Sequence, residues 1–153
     1  MRHPDVSHVN CSISRPLAFL GERWTLLVIK EAFLGVKRFE DMQRDLGVAR
    51  NVLADRLQKL LGEGILERRR YEERPPRFEY KLTAKGRDLY PVIVSIMRWG
   101  DRYTAEGGAP VRLIHEPCGH EAEPKLVCSH CGEEIDPREM RPEAGPGALR
   151  ETA

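Results

Sequence analysis

The chain has 153 residues, 41% of them hydrophobic, and a formal net charge of +1. This length supports one modest hydrophobic core and a small appended unit, but not two full domains. No apolar run approaches the roughly 20 residues that span a bilayer, and the N-terminus lacks the apolar core of a secretory signal, so we expect a cytoplasmic protein without membrane contact. Three of the four cysteines lie late in the chain, which favours a metal site over a disulfide framework.

The sequence at the start of the chain predicts a flexible N-terminal segment followed by two helices. Residues 1–10 show no periodicity and are predicted to be flexible. Pro16 is typical of the first turn of a helix, which we expect to reach about Leu20. A strongly apolar helix should follow at the centre of the core, with Trp24 as a core aromatic and with further apolar side chains at Leu27, Val28, Ile29, Ala32 and Phe33.

Residues 38–83 predict a helix-turn-helix followed by a wing. We expect a short helix over 39–46, a tight turn at Gly47 and a second helix over 49–61. This second helix carries one apolar stripe, formed by Val52, Leu53, Leu57, Leu60 and Leu61.

Two strands of β-rich composition should form the wing, over 65–71 and 78–82. The turn between them, residues 72–77, is rich in arginine and proline. From Lys37 to Arg87 there are 14 Lys and Arg against 9 Asp and Glu, a local charge of +5. Positive charge therefore gathers where double-stranded DNA would bind.

The start of the second helix supplies the candidate base contacts: Ala49, Arg50, Asn51 and Ala54. Arg50 is suited to reading guanine and Asn51 adenine. Arg56, about two turns into the helix, either joins them or bonds within the fold.

Four further arginines are candidate backbone contacts. Arg38 and Arg44 would lie beside the phosphates that the first helix crosses. Arg74 and Arg77 of the wing would contact phosphates or enter the minor groove.

A long helix is predicted from the cap at Thr83 to about Tyr103, with a kink near residues 87–90 caused by Pro91. Its apolar residues cover more than one face, which is more than one small domain hides, so we expect a homodimer. A dimer would present two recognition helices to successive major grooves of a palindromic operator, about 34 Å apart.

Residues 106–110 separate a domain over 11–105 from a small unit over 109–136. Two short motifs in this unit share a ligand-x-x-Cys-Gly pattern. The first pairs His115 with Cys118, and the second pairs Cys128 with Cys131. Three thiolates and one imidazole suit a tetrahedral, structural Zn²⁺, one per chain. We expect a zinc-ribbon-like tail with strands over 111–114 and 125–127.

Three alternatives stay open in the tail. His120 and His130 compete with His115 as the fourth ligand, and free thiols without metal are the remaining possibility. Residues 137–153, in which prolines and glycines alternate with charges, are predicted to be disordered.

From about Cys11 to Tyr103 the chain resembles the HxlR family of bacterial winged-helix regulators. The resemblance rests on Cys11-x-Ile13, Gly21-x-Arg23-Trp24, Arg38-Phe39, Arg56-Leu57, the run from Tyr71 to Gly86, Pro91 and Trp99-Gly100. It implies a dimeric repressor or activator of mainly α fold with a small β-hairpin (α+β), in which a winged helix-turn-helix is followed by a long dimerisation helix. We expect a repressor.

The resemblance also implies an oxidant or small-molecule effector in some members, sensed through a cysteine that matches Cys11. The alternative for Cys11 is a buried apolar side chain at the dimer interface. An enzyme is not expected, because no serine-histidine, paired-carboxylate or glycine-rich phosphate motif is present. A zinc-ribbon adaptor for protein or RNA is the competing class.

Overall fold

The structure is a computed structural model that describes residues 9–148. Of the expected flexible segment over 1–10 and the expected disordered tail over 137–153, residues 1–8 and 149–153 lie outside this range. The elements in chain order are α1 (Ser14–Leu20), α2 (Thr25–Phe33), α3 (Phe39–Leu46), α4 (Arg50–Gly62), β1 (Leu66–Glu73), β2 (Pro76–Leu82), α5 (Ala84–Arg87), α6 (Tyr90–Tyr103), β3 (Ile114–His115), β4 (His120–Glu121) and a 3₁₀ turn (Pro137–Glu139). Two compact units divide between Ile93 and Val94.

The core of the first unit lies where α2 crosses the helix-turn-helix. Val28 and Ile29 of α2 are fully buried, as predicted, and so are Met42 of α3 and Leu53 and Leu60 of α4. Each such side chain stabilises the fold by about 1.5–3 kcal/mol. Burial on the inner face of α4 therefore leaves its opposite face open for a partner.

The turn between α3 and α4 has the predicted geometry. Gly47 adopts a left-handed φ of 62°, and its N–H donates to the Gln43 carbonyl oxygen at 2.9 Å. A side chain would strain this conformation. Trp24 is half-buried against the core, as expected for a core aromatic, but its own φ of 79° was not anticipated.

The wing is an antiparallel hairpin in register from Leu66↔Leu82 to Glu73↔Pro76, with a bulge at Tyr71. Its tip is only Arg74-Pro75, which are joined by a cis peptide bond, so both strands extend further than predicted. A third segment pairs with β2, because the Tyr80 N–H donates to the Lys37 carbonyl at 2.8 Å. The wing is thereby attached to the start of α3.

The expected continuous helix from 83 to 103 is wrong. Thr83 does cap α5, accepting from the Gly86 N–H at 3.0 Å, but the helix ends at Arg87 and α6 begins at Tyr90. Pro91 therefore lies in the first turn of α6, where its missing N–H costs no helical hydrogen bond. A break has formed at the place where we expected a kink.

The tail contains two very short hairpins. Ile114–His115 pairs with His120–Glu121, and Val127 forms a single bridge with Glu134. The predicted strands over 111–114 and 125–127 are therefore mostly absent. No residue between 104 and 148 is buried, so this segment has no hydrophobic core.

Candidate DNA-binding surface

The exposed end of α4 carries the predicted base-reading residues. Ala49 precedes the helix in extended conformation, and Arg50, Asn51 and Ala54 are all exposed on its first turns. The buried Leu53 and Leu57 fix the opposite face in the core. The four side chains therefore share one accessible helix end, as recognition of a major groove requires.

A cleft of about 500 Å³ lies between α3, the start of α4 and the wing. Its cationic side chains come from three separate elements: Arg38 before α3, Arg50 of α4 and Arg77 of β2. Glu40 and Asp41 also line the cleft. The fold thus brings together three predicted DNA contacts that are up to 39 positions apart in the chain.

Aromatic rings hold two of these arginines. The Arg50 guanidinium lies 4.7 Å from the centre of the Phe39 ring, and that of Arg38 lies 4.7 Å from the Tyr71 ring. Such cation–π contacts are worth about 0.5–1 kcal/mol at exposed sites. They orient both groups without neutralising their charge.

The wing arginines have different surroundings. A hydrogen bond with Tyr71 raises the pKa of the Arg77 guanidinium above its ordinary value, with Glu72 contributing; the Arg77 Nε lies 3.3 Å from the Glu72 carboxylate. Arg74 is exposed at the tip, and its side chain makes no hydrogen bond or ion pair with residues 9–148. Arg74 is therefore the freer of the two to approach a phosphate.

Arg44 projects from α3 but is shared with two carboxylates. Its Nη1 lies 2.8 Å from Asp41 and its Nε 3.0 Å from Asp45. These two hydrogen bonds, that to Asp41 first, raise the pKa of the Arg44 guanidinium. A phosphate would have to compete with both aspartates for this side chain.

Arg56 bonds within the fold, which favours the second of its two predicted roles. Its Nε donates to the Arg23 carbonyl at 2.9 Å, and its Nη1 lies 2.7 Å from Glu22. Only 17% of its side chain is exposed. Arg56 thus joins α4 to the segment before α2 rather than facing outward with Arg50.

No role was predicted from the sequence for the three arginines of β1. Arg68 lies with its guanidinium 4.2 Å from the centre of the Phe78 ring, and Arg69 and Arg70 are exposed beside it. The uninterrupted Arg68-Arg69-Arg70 run was the available signal. It adds positive charge to the wing.

Cys11 lies half-buried just before α1. Its Sγ accepts a hydrogen bond from the Ile13 N–H at 3.4 Å. That backbone bond, followed by one from Ser14, lowers the pKa of the Cys11 thiol, and the charge of Arg15 adds to the effect. The thiolate is the nucleophilic form of cysteine, so the surroundings favour reactivity.

The two tail hairpins each carry one pair of predicted metal ligands. The His115 Nδ1 lies 3.3 Å from the Cys118 Sγ, and backbone N–H groups of Cys131 and His130 lower the pKa of the Cys128 thiol. Among residues 9–148 no three His, Cys, Asp or Glu side chains are gathered into a metal-sized cluster. Each pair is formed, but the four residues are not assembled.

A comparison with family models matches residues 19–107 to the HxlR-like helix-turn-helix family. The chain is 49% identical over 137 residues to an HTH-type transcriptional regulator of Mycobacterium tuberculosis that has not been characterised, covering 89% of this chain and 87% of that protein. Because the match spans 137 of the chain's 153 residues, it must extend past residue 107, where the family match ends, into the tail.

Solved structures agree with this likeness. The crystal structure of PA1607, a candidate transcription factor, superposes with a TM-score of 0.82 at 31% identity, covering 93% of this chain and all of that one. The reduced form of the transcriptional regulator YodB from Bacillus subtilis gives a TM-score of 0.54 at 31% identity over 63% of this chain and 97% of that one. In the described part of this chain no helix is long and apolar enough to span a membrane.

Proposed function

Since the chain belongs to the HxlR-like helix-turn-helix family and is a DNA-binding transcriptional regulator, we propose that it represses transcription as a homodimer on a palindromic operator. The observation that carries the proposal is the cleft in which Arg50, at the exposed start of α4, and Arg77, from the wing, line one surface. A duplex lying there would meet a base-reading helix and a backbone-contacting hairpin together.

In this arrangement α4 enters the major groove. Arg50 presents two N–H groups to guanine O6 and N7, while Asn51 presents its amide to adenine. Ala49 and Ala54 are small enough to let the backbone approach the base edges and to contact a thymine methyl group. Arg74 and the arginines of β1 contact the phosphates, which strengthens binding to any sequence.

The homodimer is supported by an unpartnered apolar stripe on α6. Val92, Ile96, Trp99 and Tyr103 recur at intervals of four, three and four residues, and their exposed fractions run from 43% to 61%. The Trp99 and Tyr103 rings lie 5.3 Å apart and form one continuous surface. This spacing is that of a helix–helix seam, and a second copy of α6 would cover it by twofold symmetry.

A titration of duplex DNA tests the proposal directly. DNA from just upstream of the protein's own gene is labelled, and its fluorescence anisotropy is followed against random competitor at several salt concentrations. We expect nanomolar binding that resists competitor and weakens steeply with salt. Equal, weak binding to both DNAs would contradict specific operator recognition on that DNA.

Cys11 supports a second candidate function, regulation by an electrophile. Its thiol pKa is lowered by the Ile13 amide, and the chain is similar to YodB, for which both a reduced and a diamide-treated structure are known. We propose that the Cys11 thiolate adds to a quinone ring carbon. A C–S bond forms, the displaced electron pair goes to the carbonyl oxygen, and that oxygen takes up a proton.

Loss of operator binding after quinone treatment tests this candidate. The wild type should release DNA, whereas Cys11→Ser should retain it. Unchanged affinity in the treated wild type would rule out the electrophile switch and leave DNA binding itself untouched.

A further inference from the structure

The segment after α6 lacks what a folded unit of its size ordinarily needs. None of its residues from 104 to 148 is buried, and the apolar side chains of Val111, Ile114, Leu126 and Val127 are each at least 47% exposed. All three cysteines of the segment are free. Units this small usually depend on a disulfide, a metal or a partner because their core is insufficient.

Despite this, the backbone of the segment repeats one specific turn. The Gly119 N–H donates to the His115 carbonyl at 2.8 Å, and the Gly132 N–H donates to the Cys128 carbonyl at the same distance. Both glycines adopt left-handed φ values, 69° and 79°. The two turns are thus the same structure built twice, each with a ligand-forming side chain at its first and fourth positions.

The side chains at these positions have the chemistry of a soft-metal site. We propose that the tail binds one Zn²⁺ per chain through His115, Cys118, Cys128 and Cys131, and that the ion holds the two hairpins together. Three thiolates and one imidazole form a common tetrahedral zinc set. With four protein ligands no position is left for water, so the ion is structural.

The first pair already has a suitable separation. His115 Nδ1 and Cys118 Sγ are 3.3 Å apart, and two such ligands on one tetrahedral zinc would be separated by about 3.5 Å, given typical Zn–N and Zn–S bond lengths. His120 remains a competitor, because its Nδ1 lies 2.7 Å from the Cys118 carbonyl oxygen and its Nε2 could still bind a metal. His115 is preferred because its spacing to Cys118 repeats that of Cys128 to Cys131. The four side chains are not gathered in the described residues, so zinc binding would have to bring the two pairs together.

Zinc would also support α6. The Arg98 Nη1 donates to the Pro124 carbonyl at 2.7 Å, and its Nη2 lies 3.3 Å from Glu123. Pro124 lies between the two turns, so an ordered zinc unit would hold this contact in place. Metal loss is therefore expected to loosen the tail from α6.

The test is the zinc content of the full-length protein, purified under reducing conditions after growth with zinc. We expect one zinc per chain in the wild type and almost none in Cys118→Ser or Cys128→Ser. Cys11→Ser, which removes a cysteine outside the tail, is the matched control and should keep its zinc. Among the histidines, His115→Ala should lose zinc while His120→Ala and His130→Ala retain it.

Two measurements on the wild type avoid dependence on variant folding. Added Co²⁺ should give the intense visible absorption of a tetrahedral thiolate complex, and a chelator should speed proteolysis between residues 110 and 135 until zinc is restored. A wild type without zinc and without a thiolate–Co²⁺ spectrum would overturn the proposal, as would a mass showing a disulfide in place of the metal. Neither result would affect specific DNA binding, which is measured separately.

Discussion

The Nε of Arg56 donates a 2.9 Å hydrogen bond to the backbone carbonyl of Arg23, 33 residues earlier in the chain. The same guanidinium pairs with Glu22, which also pairs with Lys59 at 2.6 Å. The segment before α2 and the middle of α4 are therefore connected by charge-assisted hydrogen bonds. We expect this connection to help hold the recognition helix in position.

Replacing Arg56 by alanine should destabilise the fold. Loss of a charge-assisted hydrogen bond from a largely buried side chain costs about 1.5–3 kcal/mol, which urea unfolding would measure. Arg44→Ala is the control, because Arg44 is 67% exposed and should cost no more than about 0.5 kcal/mol. Equal stabilities for the two variants would show that Arg56 has no special structural role.

Arg50→Ala and Arg74→Ala should weaken DNA binding in different ways. Loss of Arg50 should cost about 1–3 kcal/mol on the operator and relax base preference, whereas loss of Arg74 should weaken specific and random DNA alike and reduce the salt slope by about 1. Parallel titrations of both variants on both DNAs distinguish these effects. Equal losses for Arg50→Ala on operator and random DNA would refute its base-reading role.

Gly86 is closely packed beneath the wing. A Cβ at this position would lie 2.2 Å from the Ile65 carbonyl oxygen and 3.0 Å from the Leu82 side chain. Gly86→Ala should therefore lower the free energy of unfolding by about 1–3 kcal/mol, visible as a lower Tm. Gly62→Ala, where a Cβ meets nothing within 4 Å, should be neutral or stabilising by about 0.5–1 kcal/mol.

The apolar stripe of α6 predicts a dimer that charge should disrupt. Ile96→Asp would place an unpaired carboxylate in the seam and should raise the dimer dissociation constant at least about tenfold. Ile96→Val is the control, because it keeps an apolar side chain at the same position of the seam and should leave the dimer intact. Sedimentation velocity over a concentration series measures both, and an unchanged dimer in Ile96→Asp would place the interface elsewhere.

Cys11 should react at lower pH than an ordinary thiol. Its pKa is lowered in the folded chain, so the thiolate persists as pH falls to values at which the unfolded chain has already been protonated. Alkylation by iodoacetamide, followed at the Cys11 peptide by mass spectrometry, should show a lower pH midpoint in buffer than in urea. Identical midpoints would mean that the folded surroundings do not activate this thiol.

Much of the DNA-binding surface could be predicted from local sequence patterns. The helical stripe over α4, the glycine at the turn and the cap at Thr83 depend on near neighbours and are confirmed. Arg56 was ambiguous because its partner, the Arg23 carbonyl, is brought close only by tertiary packing. The left-handed conformation of Trp24 was also not predicted from the sequence.

Where the structure differs from the prediction, the reasons also lie in the local sequence. Pro91 is compatible with either a kinked helix or a new first turn, and the proline alone does not distinguish them. In the tail, apolar composition suggested strands over 111–114 and 125–127, yet short exposed segments without a facing layer formed only two small hairpins. The wing strands extend closer to the tip than predicted, because a tip of only two residues can hold them in register.

The most direct measurement is selection of bound duplexes from a random DNA pool. We expect enrichment of one inverted repeat with half-sites about one helical turn apart, and loss of its consensus at specific positions in Arg50→Ala. A pool that stays random through successive rounds, although the protein retains DNA at low salt, would contradict sequence-specific recognition by α4.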